Sequence, residues 1–181
     1  MSVELWRDFH NYTAPIKGEM VGDLPIDSDV QGVFFDKMVE GHTHPGKKPS
    51  SADCLIMHRN HILYVEFKSW PEDKTAPENE MAVIEKIKLC SIIHHRFIKR
   101  ENDDLEAWFI LVTNDSRLRM IEMTKKKAHL RTDTVCDYLK PFRCTTRDGD
   151  GIYFDNVSMA SVATFQNFLN QNGNEIRIPD F

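Results

Sequence analysis

The sequence predicts a single mixed α/β domain. A chain of 181 residues is long enough to bury one sizeable core and is short for two domains. Hydrophobic residues make up 41% and charged residues 28%, which is ordinary for globular proteins and excludes a disordered or collagen-like chain. Segments with helical spacing of apolar residues alternate with short apolar runs typical of strands. No run of about 18 uncharged apolar residues occurs, so we expect no membrane-spanning helix.

The N-terminal part predicts two helices separated by turns. Residues 4–12 carry apolar side chains at helical spacing, and the charged residues among them argue against a secretory signal. Residues 13–27 are rich in glycine and proline and predict turns. Ser28, with Gln31 three positions later, resembles a capping box and predicts a helix over residues 28–41.

A β-hairpin and a long helix are predicted next. Two apolar runs, 53–59 and 62–69, are separated only by Asn60-His61, which favours two antiparallel strands joined by a tight turn. Residues 79–98 follow with apolar side chains at helical spacing, so we expect an amphipathic helix whose apolar stripe faces the sheet.

The C-terminal half predicts one buried strand and a last helix. Residues 107–113 form a nearly continuous apolar run that suits a central strand covered on both faces. The basic segment 117–130 is a further candidate helix. A final helix is predicted over 156–170 and a short strand over 175–178.

The net charge of −5 is unevenly distributed along the chain. The first 40 residues carry five more acidic than basic side chains, whereas residues 41–100 carry three more basic than acidic ones. Residues 115–147 are also basic. The net charge excludes a strongly basic, non-specific coat for nucleic acid, but it does not exclude a polyanionic partner near the basic stretches.

None of the four cysteines stands in a Cys-x-x-Cys pair, and two of them lie among apolar residues. Structural zinc sites need closely spaced ligands, and disulfides belong to oxidising compartments. We therefore expect free, buried thiols in a reducing cytosol and a cytoplasmic protein.

The hairpin carries the residues that point to chemistry. Alternation along a strand places Glu66 and Lys68 on one face and Phe67 on the other. If Arg59 pairs with Ile62, Asp53 lies opposite Lys68, and the other registers considered place it opposite Tyr64 or Trp70. In each register, Asp53 is at the same end of the hairpin as Glu66. A divalent cation such as Mg²⁺ could then accept oxygen ligands from Asp53, Glu66 and the Phe67 carbonyl.

This stretch resembles the PD-(D/E)xK nuclease superfamily. The family's Pro-Asp is Ala52-Asp53 here, so the proline is missing, and its (D/E)xK is Glu66-Phe67-Lys68. The resemblance covers roughly residues 28–113. It implies a single-domain, restriction-endonuclease-like αβββαβ core, to which the predicted C-terminal helix is extra.

The resemblance also implies a function. It indicates an Mg²⁺- or Mn²⁺-dependent endonuclease that hydrolyses phosphodiester bonds, with DNA favoured over RNA as substrate. Asp53 and Glu66 would be metal ligands, and Lys68 would assist the attacking water. Many members add an acidic residue on the helix before the hairpin, for which Glu40 is best placed and Asp36 is the substitute.

Four more residues are candidates for substrate contact. His42 and His44 flank the site on the loop that enters Asp53, and Lys86 and Lys88 lie on the helix after the hairpin, which in related folds flanks the catalytic face. The family suggests a homodimer. Two alternatives remain: a non-catalytic binding protein with the same fold and a protein or nucleotide partner, and a structural domain whose motif arises by chance.

Overall fold

A computed structural model describes residues 9–21, 23–41, 51–69, 77–94, 105–114 and 154–179. This part of the chain contains seven strands and three helices. In chain order they are β1 (Thr13–Val21), β2 (Leu24–Phe34), α1 (Phe35–Gly41), β3 (Cys54–His58), β4 (His61–Lys68), α2 (Pro77–Ile93), β5 (Glu106–Thr113), β6 (Asn156–Ser161), α3 (Val162–Asn172) and β7 (Ile176–Arg177).

All seven strands belong to one mixed sheet, with β1 to β6 side by side in chain order. The first four strands pair antiparallel, whereas β4, β5 and β6 pair parallel. The short β7 pairs with the last residues of β3. Parallel strands need a crossover connection, which α2 supplies between β4 and β5. The mixed α/β class predicted from the sequence is confirmed.

Each face of the sheet is covered by its own apolar cluster. On one face, α1 and α2 pack their buried residues, among them Met38, Ile87 and Cys90, against Leu55, Tyr64, Phe109 and their neighbours. On the other face, α3 packs Phe165 and Leu169 against Ile56, Val65, Phe67 and their neighbours. Because β4 is buried on both faces, it reads in the sequence as a continuous apolar run.

The prediction for the N-terminal part is wrong between residues 13 and 34. The expected turns are strands β1 and β2, which form a hairpin with two irregularities, and the expected capping box at Ser28 lies inside β2. Buried and exposed residues alternate with a period of two along much of β2, which fits a strand better than a helix. Of the helix predicted over residues 28–41, only the last part, α1, is helical. Within residues 4–12, the described residues 9–12 form a short 3₁₀ turn.

The C-terminal prediction is correct only in part. The helix expected over 156–170 is divided: Asn156–Ser161 is strand β6, and α3 begins after it. Ser161 marks the boundary, because its extended backbone ends the strand and its hydroxyl accepts the N–H of Thr164 as an N-cap. The buried strand over 107–113 and the last short strand are confirmed. The candidate helix in the basic segment lies outside the described residues.

Among the described residues, no helix has the length and apolarity needed to cross a membrane.

Candidate functional site

The turn of the β3–β4 hairpin determines which residues face each other. His58 pairs directly with His61, so the turn consists of Arg59 and Asn60, and Arg59 has a positive φ of 56° as tight two-residue turns require. The predicted pairing of Arg59 with Ile62, and the other registers considered, are therefore wrong. Continued to the open end, the observed register brings Asp53 opposite Glu66.

Asp53 connects three elements at that end of the hairpin. It directly precedes β3, and its backbone carbonyl accepts the N–H of Phe35, the first residue of α1, at 3.0 Å. Its carboxylate oxygen Oδ2 accepts the backbone N–H of Phe67 in β4 at 2.8 Å. In a strand, the N–H and C=O of one residue point to the same side, so the Phe67 carbonyl also faces the Asp53 side of β4.

Glu66 is the most buried charged residue of the site. It lies in β4, and only 2% of it is exposed. Phe67, the next residue, points to the opposite face and packs against Phe165 of α3. Strand alternation thus holds as predicted. Glu66 is therefore not a solvated surface residue.

Lys86 of α2 bridges the two carboxylates. Its Nζ donates to both carboxylate oxygens of Glu66 at 2.7 Å each and to Oδ1 of Asp53 at 3.3 Å. The side chains of Lys86 and Asp53 are each 23% exposed, so the ion pair between them is partly open to solvent. The neighbouring Ile87 is fully buried between α2 and the sheet. This orientation of α2 places Lys86 at the edge of the apolar cluster. The chance-motif alternative predicts Asp53, Glu66 and Lys68 more than about 10 Å apart. This shared contact contradicts it for Asp53 and Glu66.

Burial dominates the electrostatics of the site. The pKa of Glu66 is raised to about 8, first by burial and then by the neighbouring charge of Asp53, while Lys86 opposes both. For Lys86, burial works to lower the pKa, but the negative charges of Glu66 and Asp53 outweigh it and raise the pKa above its ordinary value. The two acids and the lysine therefore form one coupled charge cluster.

Glu19 lies within electrostatic reach of two other acidic residues, Asp53 and Asp36. Burial and the charges of Asp53 and Asp36 raise the pKa of Glu19, which places the Glu19 carboxyl within electrostatic reach of the site. Asp36 lies in the first turn of α1 and its carboxylate accepts the N–H of Lys37 at 2.7 Å. Glu40, the preferred candidate from the sequence, is exposed near the C-terminal end of α1. Glu19 was missed because residues 13–27 were interpreted as turns; a hairpin there would have put it in the sheet.

Two of the remaining candidates, Lys68 and Lys88, lie within the described residues. Lys68, the last residue of β4, shares the face of Glu66 and is half-buried. Its backbone pairs with Thr113 of β5, and its side chain has no hydrogen bond or ion pair to another described residue. Lys88 is exposed on α2. His42 and His44 lie outside the described residues.

The donor set at this end of the hairpin fits a hard divalent cation. Three carboxylate oxygens converge on one positive charge, and the Phe67 carbonyl faces the same side. Mg²⁺ binds in proteins through one or two carboxylates, with waters and substrate phosphate completing its shell. Within the described ranges, no group of three or more His, Cys, Asp or Glu residues is arranged to hold a metal ion. A metal here would be held by Asp53 and Glu66, with the Phe67 carbonyl on the same side.

Comparison of the chain with protein-family models, with curated proteins and with solved structures finds no match.

Proposed function

We propose that this protein is an Mg²⁺- or Mn²⁺-dependent nuclease of the PD-(D/E)xK type. The observation that carries the proposal is the convergence of Asp53 and Glu66 on one cation, on the strand face that also bears Lys68. Two carboxylates and a lysine at the open end of a hairpin are the groups that the family resemblance implies. The run β2, β3, β4, α2, β5 supplies strands and a helix in the order of a βββαβ core, with α1 inserted after its first strand.

Each residue has a role that its position supports. Asp53 and Glu66 would hold the metal, and the Phe67 carbonyl is on the side where it could complete the ligand set. The metal, when bound, lowers the pKa of a coordinated water and offsets the charge that develops on the phosphate. Lys68, half-buried beside Glu66, presents an ammonium that can donate to a phosphate oxygen or to the attacking water.

The substrate of the proposed enzyme is a polyanion, with DNA favoured over RNA. Lys86 and Lys88 lie on the helix that borders the carboxylates, and His42 and His44 belong to the segment that enters Asp53. A mildly acidic chain with local basic stretches should bind nucleic acid weakly and lose affinity as salt increases. The proposal includes homodimer formation and a cytoplasmic location.

Metal-dependent nicking of supercoiled plasmid, with single-stranded DNA and RNA run in parallel, tests the proposal. We expect the wild-type protein to cut with Mg²⁺ or Mn²⁺ and not with EDTA, and we expect Lys68→Ala to lose cutting by at least about a hundredfold. Lys17→Ala is the matched control, because Lys17 lies on β1 and pairs with Asp27 and Asp29 rather than with Asp53 or Glu66. Equal activity of wild type and Lys68→Ala would overturn the role of Lys68, and an inert wild type would overturn the nuclease proposal.

A non-catalytic binding protein is the second candidate, and one observation favours it. The Lys86 ammonium offers the two carboxylates a positive charge without any metal. A site neutralised in this way can be purely structural. This candidate predicts that the wild-type protein neither cuts any of the three substrates nor takes up Mn²⁺.

A further inference from the structure

We infer that the Lys86 ammonium and a divalent cation are alternative occupants of one position, so that metal binding displaces Lys86 from the carboxylates. The inference rests on the proposed function, since it requires that the site takes up metal. It assigns Lys86 a role in controlling metal occupancy that the family resemblance does not imply.

An accounting of the four carboxylate oxygens supports this exclusion. Asp53 Oδ2 is already bonded to the N–H of Phe67. The other three oxygens, Asp53 Oδ1 and both Oε atoms of Glu66, all contact Lys86 Nζ. A metal held by both residues would use the same oxygens that the ammonium uses.

The distances leave no room for both cations. Nζ is equidistant from the two oxygens of Glu66, at 2.7 Å from each, where an ion held by both oxygens would lie. Mg²⁺ binds carboxylate oxygens at about 2.1 Å, so an ion on those oxygens would overlap the ammonium. Repulsion adds to the overlap, because like charges a few ångströms apart in a poorly solvated site disfavour each other strongly.

The exposure of the three side chains shows where the lysine can go. Glu66 is enclosed, whereas Lys86 and Asp53 are both partly exposed. The four-carbon stem of a lysine is flexible, so its ammonium can turn toward solvent without moving α2. Once released, it stays beside the carboxylates, where a substrate phosphate could replace them as its partner.

Chemical labelling of the wild-type protein tests the displacement without any substitution. Lysines would be acetylated briefly with and without saturating Mn²⁺, and the acetylation rate at each lysine would be measured by mass spectrometry. The electron paramagnetic resonance signal of free Mn²⁺ would establish that the site is saturated. Lys88, exposed on the same helix, is the internal reference. We expect Mn²⁺ to raise the rate at Lys86 several-fold relative to Lys88. An unchanged or lower relative rate at Lys86 with Mn²⁺ bound would overturn the inference and leave the proposed function intact.

Metal affinity provides a second, independent readout. Lys86→Met removes the competing charge and keeps an unbranched side chain, and Lys88→Met removes a charge from the same helix without touching the carboxylates. We expect Lys86→Met to bind Mn²⁺ at least about tenfold more tightly than wild type, and Lys88→Met to change affinity much less. If the wild type binds Mn²⁺ tightly and Lys86→Met binds it equally or more weakly, the mutual exclusion of Lys86 and metal is contradicted, but the metal-dependent function is not. If no variant binds Mn²⁺, both the exclusion and the metal-dependent function fail.

Discussion

The Lys86 ammonium lies 2.7 Å from each carboxylate oxygen of Glu66, a residue that is 98% shielded from solvent. Ionising a carboxyl at that depth is costly unless it is paired and hydrogen-bonded. Lys86 supplies the pairing from α2, and Asp53, which directly precedes β3, shares the same ammonium. This one contact therefore joins the helix to the hairpin at the place where the proposed chemistry occurs.

The first prediction concerns pH. The Glu66 carboxyl has an ordinary pKa of 4.5 and a folded-state pKa of about 8. Between these values the folded protein retains a proton that the unfolded chain has lost. The contribution of Glu66 to the free energy of unfolding is therefore fully present below pH 4.5 and is lost as the pH rises through 8.

The comparison is between wild type and Glu66→Gln, which does not titrate. In denaturant unfolding without metal, we expect the free energy of unfolding of the wild type to fall relative to Glu66→Gln from pH 5 to pH 8, by up to about 1.4 kcal/mol per pH unit. A difference that stays constant over this interval would show that the pKa of Glu66 is not raised.

The second prediction separates the structural role of Asp53 from its proposed role as a metal ligand. Asp53→Ala removes the acceptor of the Phe67 N–H and should lower the free energy of unfolding by about 1–3 kcal/mol. Asp53→Asn keeps an amide oxygen and should lose less than half as much, but both variants should lose Mn²⁺ binding.

Asp29→Ala is the control, because Asp29 is almost fully exposed and its carboxylate pairs with Lys17. Its free energy of unfolding should change by no more than about 0.5 kcal/mol. Equal losses of stability in Asp53→Ala and Asp53→Asn would refute the hydrogen-bond role.

The third prediction concerns the packing around Gly32 of β2. A Cβ atom added at Gly32 of β2 would lie 2.6 Å from Cys54 Sγ and 3.0 Å from Ile16 Cγ1, too close for ordinary contact. Gly32→Ala should therefore destabilise the protein by about 1–3 kcal/mol through overpacking. Removal of the thiol should relieve part of this clash, so the double variant Gly32→Ala/Cys54→Ala should lose less than the sum of the two single losses. If the losses in the free energy of unfolding of the two single variants add exactly in the double variant, the clash of Gly32→Ala is not with the Cys54 thiol.

Much of the hairpin and its helix could be predicted from the sequence. β3, β4 and β5 are apolar runs bounded by turn residues. This signal lies within each segment, so it can be identified without knowledge of the tertiary structure. The apolar stripe of α2 correctly predicted that Ile87 and Cys90 are buried. The hairpin register was missed by two residues, because it depends on the left-handed backbone of Arg59, which is not a glycine, asparagine or aspartate and gives no turn signal.

Two features depend on tertiary structure and left no local signal. The β1–β2 hairpin contains Gly18 and two prolines, which favoured turns, and Ser28 with Gln31 imitates a helix start although both lie in a strand. The contact of Lys86 with both carboxylates depends on how far α2 is rotated and how deeply it packs on the sheet. Helical spacing shows which residues share a face, but it does not show which strand residue each of them meets.

The most direct measurement is a crystal structure of the protein soaked with Mn²⁺, with anomalous scattering used to locate the ion. The account predicts an anomalous peak bridging the carboxylates of Asp53 and Glu66, with the Lys86 ammonium moved away from both. Absence of a peak at saturating Mn²⁺, with Lys86 Nζ still bonded to both oxygens of Glu66, would contradict it.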